Sequence, residues 1–158
     1  MRARIALSLA LTSVHVSPAS ALAPADMGDR TAAIATEYLR AWSGDGRSAV
    51  ADVPYVYGPT VLFYGHPYSR AGLMAEKRRA VERWPVRRYA IRPGTLRVTC
   101  NVPEAKCAAR ATMDYAVSNP AMGTSARGSA RFDLGVGFAG PRPLILYEGG
   151  AAGSRGGR

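Results

Sequence analysis

The side chains in this sequence that could move protons or hold a small molecule fall in one cluster and at two isolated positions. Tyr55, Tyr57, Tyr64, His66 and Tyr68 lie within 14 residues of chain, five rings that could surround a flat or sugar-like ligand. The same five could instead wedge an irregular segment against a helix and a sheet. Tyr115 is the one polar side chain in phase with the apolar positions of its strand, so it either lines a pocket or is a core tyrosine with its hydroxyl at the rim. Glu148, in phase with Leu144 and Leu146, either points inward at the sheet end or marks the strand's exit into solvent. The candidate ligand-binding set is therefore Tyr55, Tyr57, Tyr64, His66 and Tyr115. Were His66, a tyrosine and Glu148 to meet in one apolar cavity, they could run a cofactor-free isomerase, dehydratase or hydrolase, because burial shifts such groups toward the working pH.

Other chemistries lack their residues. His66 is the only histidine after His15, and it has no carboxylate or cysteine near it at ligand spacing, so no metal site and no cofactor are expected. No Ser-His-Asp order and no glycine-rich phosphate loop occurs; Gly135, Gly137 and Gly140 lie in and after a strand with no helix behind them. Catalysis is thus not the first expectation.

The elements that must position these groups centre on residues 63–94, which read as strand end, helix, stop and new strand. Ser69 is a good N-cap and Trp84-Pro85 a stop, with Leu73, Met74, Ala80, Val81 and Trp84 at helical spacing between them. Glu76, Lys77, Arg78, Arg79, Glu82 and Arg83 read as the wet side of that helix. Upstream, Ile34, Ala35, Tyr38, Leu39 and Trp42 predict a helix over residues 29–42, capped by Asp29 or Thr31 and ended by Gly44. Residues 43–48 read as a turn, 49–57 as a second short helix or irregular lead-in, and 61–64 as a short strand closed by Gly65 and Pro67.

Beyond residue 86 the chain becomes sheet. Residues 87–92 and 95–101 read as one strand broken at Pro93-Gly94, followed by strands at 107–117, 125–138 and 144–148. Leu96, Val98 and Cys100 share a face, as do Cys107 to Tyr115 and Gly128 to Phe138 at every second residue; Arg97, Arg110, Asp114, Arg127, Arg131 and Asp133 collect on the other. One apolar and one solvated face mark an antiparallel sheet, with cross-strand Arg–Asp pairing on the wet side. That arginine-rich face is the candidate interaction surface, for a homodimer, a partner protein or an anionic envelope component. The fold class is α+β: two or three N-terminal helices on a bent antiparallel sheet of four to six strands.

Arg2 and Arg4, an apolar run to about Val16 and small residues ending at Ala23 form the three-part pattern of a secretory signal peptide, too short for a transmembrane helix. Residues 1–23 are read as that leader, 24–148 as one domain, and 149–158 as a disordered tail with little to bury. Cleavage after residue 23 lowers the formal charge from +10 by the two leader arginines. Basic charge outside the cytoplasm suits anionic envelope material, and a charge-held structural role is one reading; arginine-rich coding is the bland one. Without a basic block or interleaved aromatics, nucleic acid is not an expected partner. An oxidising location makes Cys100 and Cys107 a disulfide across a turn, worth roughly 2–3 kcal/mol for so short a loop.

Helices leading into a long bent sheet, with Phe63-Tyr64-Gly65, Glu76-Lys77-Arg78, Arg83-Trp84-Pro85, Arg88-Tyr89, Pro93-Gly94-Thr95, Val98-Thr99-Cys100 and Cys107 in that order, resemble the nuclear transport factor 2-like (NTF2-like, SnoaL-like, cystatin-like) cone fold. More narrowly, the run is similar to small extracytoplasmic domains of proteobacteria associated with caspase-like peptidases, which carry no catalytic set to transfer. The wider fold includes ketosteroid isomerase and scytalone dehydratase, which use Asp, His and Tyr inside the cone. Here Asp114 and Asp133 fall on the outer face by phase, which removes the natural bases. The resemblance therefore implies a secreted or periplasmic binding or interaction module, with a cone enzyme as the alternative.

Overall fold

The computed structural model describes residues 23–152. In chain order the elements are α1 (Pro24–Ser43), α2 (Gly46–Ala51), α3 (Val53–Val56), β1 (Tyr57–Phe63), β2 (His66–Ser69), α4 (Arg70–Arg83), β3 (Val86–Ile91), β4 (Arg97–Asn101), β5 (Lys106–Asn119), a 3-10 turn Pro120–Met122, β6 (Thr124–Gly137) and β7 (Leu144–Ala152). Residues 1–22, on which the expected leader falls, and residues 153–158 lie outside the described region.

α1 is longer than its apolar pattern predicts. Pro24 suits the first helical position, where a missing N–H costs nothing, so the helix starts five residues before Asp29. Thr31 caps nothing; its hydroxyl donates to the Met27 carbonyl at 2.7 Å from inside the helix. Met27, Thr31, Ala35, Leu39 and Trp42 form the buried stripe. The segment read as a turn at 43–48 ends early, because the Asp45 carboxylate accepts from the Arg47 and Ser48 backbone N–H groups and starts α2 at Gly46. α4 matches its predicted limits, with Ser69 Oγ accepting from the Gly72 N–H at 3.2 Å. The buried Arg87 ties two helix ends together: it donates to the Trp42 carbonyl of α1 at 3.0 Å and to the Trp84 carbonyl after α4 at 2.7 Å.

The sheet has seven strands, in the order β2-β1-β7-β6-β5-β3, with β4 also on β5. β5 and β6 pair without a break over their whole length, from Lys106↔Gly137 to Asn119↔Thr124. β3 and β4 lie end to end along the other edge of β5, so the expected single strand bent at Pro93-Gly94 is what forms. Two features go beyond the expectation. Tyr64 and Gly65, both at positive φ, turn the chain tightly into β2, which the prolines had argued against. β1 then runs parallel to β7, the one parallel pair of a sheet predicted to be antiparallel throughout. β7 in turn does not stop at Glu148: residues 149–152 pair with Ala130 to Asp133, where residues 149–158 were expected to be disordered.

The inner face meets α1 and α4 in a core that includes Leu39, Trp42, Tyr57, Val61, Leu73, Phe132 and Leu134. Cys100 and Cys107 are register partners and are joined by a disulfide. Reducing that bond, or replacing both cysteines by serine, is expected to lower stability by about 2–3 kcal/mol, read as a lower midpoint in denaturant titrations.

Candidate functional site

Two elements remote in sequence deliver the charged centre of the cone. α4 carries Lys77 one turn after Leu73, on the stripe that faces the sheet, and only these two residues of the helix are fully buried. β7 carries Glu148, whose inward direction comes from a β-bulge. Its pairing with β6 slips between Val136↔Ile145 and Gly135↔Tyr147, leaving Leu146 as the extra residue. The Leu146 side chain fills the space that a Cβ would take at Gly58 and Gly137. Ile145 and Glu148, three residues apart, therefore both face the core. Glu148 is inward as one reading had it, but in phase with Ile145 and not with Leu144 and Leu146.

Lys77 Nζ donates to Glu148 Oε1 and Oε2 at 2.6 and 2.7 Å and to the Tyr38 hydroxyl at 2.7 Å. Tyr57 donates to Glu148 Oε2 at 2.6 Å, and its hydroxyl lies 3.3 Å from that of Tyr38. The ammonium also sits among ring faces, 4.6 Å from the Trp42 centroid and 4.8 Å from that of Phe63. Beside this cluster is a cavity of about 200 Å³, whose walls include Tyr38, Trp42, Phe63, Tyr64, Met113 and Phe132. Burial shifts the groups in opposite senses: it lowers the Lys77 pKa against the pull of Glu148, and it raises Tyr38 and Tyr57 well above the usual phenol range, with the Glu148 charge adding to it. At neutral pH the tyrosines are thus hydrogen-bond donors, and the site offers an ammonium and a carboxyl group side by side in an apolar wall.

Of the residues singled out from the sequence, Tyr57 and Glu148 meet here and Tyr64 stands at the cavity's rim, 53% exposed. Tyr55 lies instead on a second cavity of about 700 Å³ between α1, α3 and the start of β7. His66 is exposed at the head of β2, opposite Phe63, and does not line the cavity. Tyr68 packs edge-on against Phe63. Tyr115 rests on its register partner Gly128 and also stays out of the cavity. Lys77 and Tyr38 were missed. For Lys77 a signal of position was present: it is one of two lysines among 21 basic residues and sits four positions from both Leu73 and Val81.

On the outer face, Arg110 and Arg131 both bond the Asp133 carboxylate at 2.7 Å, and Arg92 bonds Asp114 at 2.5 Å. Asp133 itself is buried at 6% exposure beneath the two guanidiniums, more enclosed than a solvated face implies. Among the described residues, no group of three or more His, Cys, Asp or Glu is gathered as for a metal ion, and no helix is long and apolar enough to cross a membrane.

Lys77→Met is expected to cost about 3–5 kcal/mol in denaturant unfolding because it leaves Glu148 buried without its partner, while Lys77→Met/Glu148→Leu costs clearly less than the two single changes summed. The tyrosines give an alkaline signature. Their folded pKa values lie above the ordinary phenol value of 10.0, so their contribution to stability is complete below about pH 10 and is lost as pH rises further. Lys77, lowered from 10.5, works the other way, its cost fading as pH rises toward that value. Above it only the loss remains. Ultraviolet titration should show Tyr38 and Tyr57 ionising only as the fold is lost, and a Tyr38→Phe/Tyr57→Phe variant should flatten the decline.

No described sequence family and no curated protein matches the chain. Solved structures do. A protein of unknown role with a cystatin-like fold from Caulobacter vibrioides superposes with a TM-score of 0.65 at 14% identity, covering 80% of this chain and 89% of that one. An NTF2-like superfamily protein from Salmonella enterica gives 0.66 at 8% identity over 85% and 96%. A candidate dehydratase of the NTF2-like family from Streptomyces avermitilis gives 0.66 at 9% identity over 84% and 99%. These likenesses concern architecture and do not bear on the narrower resemblance to domains that accompany caspase-like peptidases. With four helices on one face of a curved seven-stranded sheet, the chain has the NTF2-like, cystatin-like cone fold.

Proposed function

We propose that the protein is an extracytoplasmic binding module that holds a small, uncharged and largely apolar molecule inside the cone. The observation that supports this most is the buried Lys77–Glu148 pair set in the wall of an open apolar cavity. A buried ion pair contributes little net stability relative to apolar residues of the same volume, so its position beside free space suits recognition better than folding. Its two charges cancel. They place hydrogen-bonding atoms in the cavity wall that a hydroxyl or carbonyl group can share by exchange with Tyr38 and Tyr57, and penalise a ligand with an uncompensated charge. A volume of about 200 Å³ falls below the usual range for drug-sized ligands, so the molecule is small. The Cys100–Cys107 disulfide and the leader pattern of residues 1–23 support a location outside the cytoplasm.

A second reading rests on the continuous contact of Lys77, Glu148, Tyr57 and Tyr38. In a cofactor-free isomerase or dehydratase, Glu148 would take a proton from the substrate while Lys77 and the phenols donate to the oxygen that gains charge. The candidate dehydratase and a candidate aromatic ring hydroxylase from Novosphingobium aromaticivorans among the structural neighbours share the fold and are compatible with it.

Thermal-shift measurements with matched sets of cyclic ketones, alcohols, amines and carboxylates separate these outcomes. The binding reading expects uncharged members to raise Tm and Lys77→Met to abolish that shift. Stabilisation by charged members alone, or a shift indifferent to Lys77, defeats it. Turnover of a bound ketone or alcohol that disappears in Glu148→Gln, with the thermal shift retained, selects the enzyme reading.

A further inference from the structure

We propose that the outer face of the sheet is a binding surface for an acidic polysaccharide. The charge of this protein is unevenly placed. Residues 24–85, which supply all four helices, hold eight basic against seven acidic residues, whereas residues 86–152 hold nine against four. Of the basic residues in the second set, register places Arg88, Arg92, Arg97, Arg110, Arg127 and Arg131 on the outer face, against two carboxylates. Both carboxylates are already engaged, Asp114 by Arg92 and Ser129 and Asp133 by two arginines at once. Among the described residues, Arg88 and Arg127 have no carboxylate within ion-pair distance.

Their placement is suited to a polymer. Ala116 pairs with Arg88 on one side and Arg127 on the other, so the two exposed guanidiniums flank a trough about 9.5 Å wide between strand axes, two strand spacings. Ala90, Ala116, Gly128 and Ser129 keep it shallow. Guanidinium forks match carboxylate groups in pairs of hydrogen bonds. Further along the same face Tyr147, the register partner of Gly135, lies across Gly149 and offers a flat ring with a polar tip, the shape on which a sugar ring packs.

The competing occupants fit less well. A lipid surface requires apolar groups long enough to insert, which alanine, glycine and serine between the arginines do not supply. Single-stranded nucleic acid requires a succession of stacking rings, whereas Tyr115 at the trough and Tyr147 further along stand apart from each other. A second copy stacked face to face sets the charge excess against itself.

The test is titration of the purified protein with polygalacturonate across a salt series, beside neutral dextran, polyphosphate, anionic phosphatidylglycerol vesicles and single-stranded DNA. The expected result is binding to polygalacturonate that falls linearly on log–log axes with salt and weakens at least about tenfold in Arg88→Glu/Arg127→Glu. Arg30→Glu/Arg78→Glu on the helical side, with the same change in net charge, should leave it unaltered, and Tyr147→Ala should weaken polygalacturonate but spare polyphosphate. Equal affinity for dextran, an equal loss in the helical-side control, equal loss of polyphosphate in Tyr147→Ala, or tighter binding to vesicles or DNA would each overturn the proposal. So would sedimentation showing a dimer that Arg88→Glu/Arg127→Glu dissociates.

Discussion

The contact on which the interior depends is the ion pair between Lys77 and Glu148. An ammonium and a carboxylate taken out of water cost several kcal/mol each, and only close geometry with further hydrogen bonds offsets that. Here Tyr57 serves the carboxylate and Tyr38 the ammonium, so one salt bridge fixes α1, α4, β1 and β7 relative to one another. The ring faces of Trp42 and Phe63 around the amine add attraction where solvent is absent. Because the centre is satisfied from all sides without filling the cone, space remains next to it. Polarity and vacancy in the same place are what separate this interior from an ordinary core.

The two faces of the sheet divide the chemistry. Alternation along β5 and β6 sends Ala109, Ala111, Phe132 and Leu134 inward and Arg110, Asp114, Arg131 and Asp133 outward. The inner face meets helices and buries one balanced charge pair. The outer face bears an excess of fixed cations on a flat backbone. Neither property constrains the other, so a change in what the cone holds need not alter what the outer surface meets.

Much of this was legible in the sequence, for definite physical reasons. Period-two alternation is a strong signal over 14 residues, so the inward and outward sets of β5 and β6 were assigned correctly, as were the Ser69 cap, the break at Pro93-Gly94 and the disulfide. The site was less legible. Lys77 was assigned to the wet side because a lysine on an amphipathic helix is ordinarily solvated, and nothing local announces a carboxylate 71 residues away. Glu148 was left between an inward position and an exit into solvent, on a phase count with Leu144 and Leu146 that the bulge at Leu146 invalidates; a bulge changes the parity of a strand without changing its composition. Tyr38 was read as core aromatic, which it is, but its hydroxyl partners come from α4 and β1 and belong to no helical pattern. Short-range periodicity reports on elements. The cluster is a property of how four of them meet.

The position of β7 has a consequence for how the chain reaches its native state. The last of the described strands in chain order, β7, lies between β1 and β6, so the hairpin of β1 and β2 joins the rest of the sheet only when β7 is in place. Before then Lys77 lacks its counter-ion and β1 exposes an open hydrogen-bonding edge. Nucleation must therefore begin in the local pairing of β5 with β6, and closure of the cone waits on contacts of very long sequence separation, a topology that slows folding. A partly made chain is consequently a different physical object from the finished one: a half-sheet with an open edge and an unmatched ammonium.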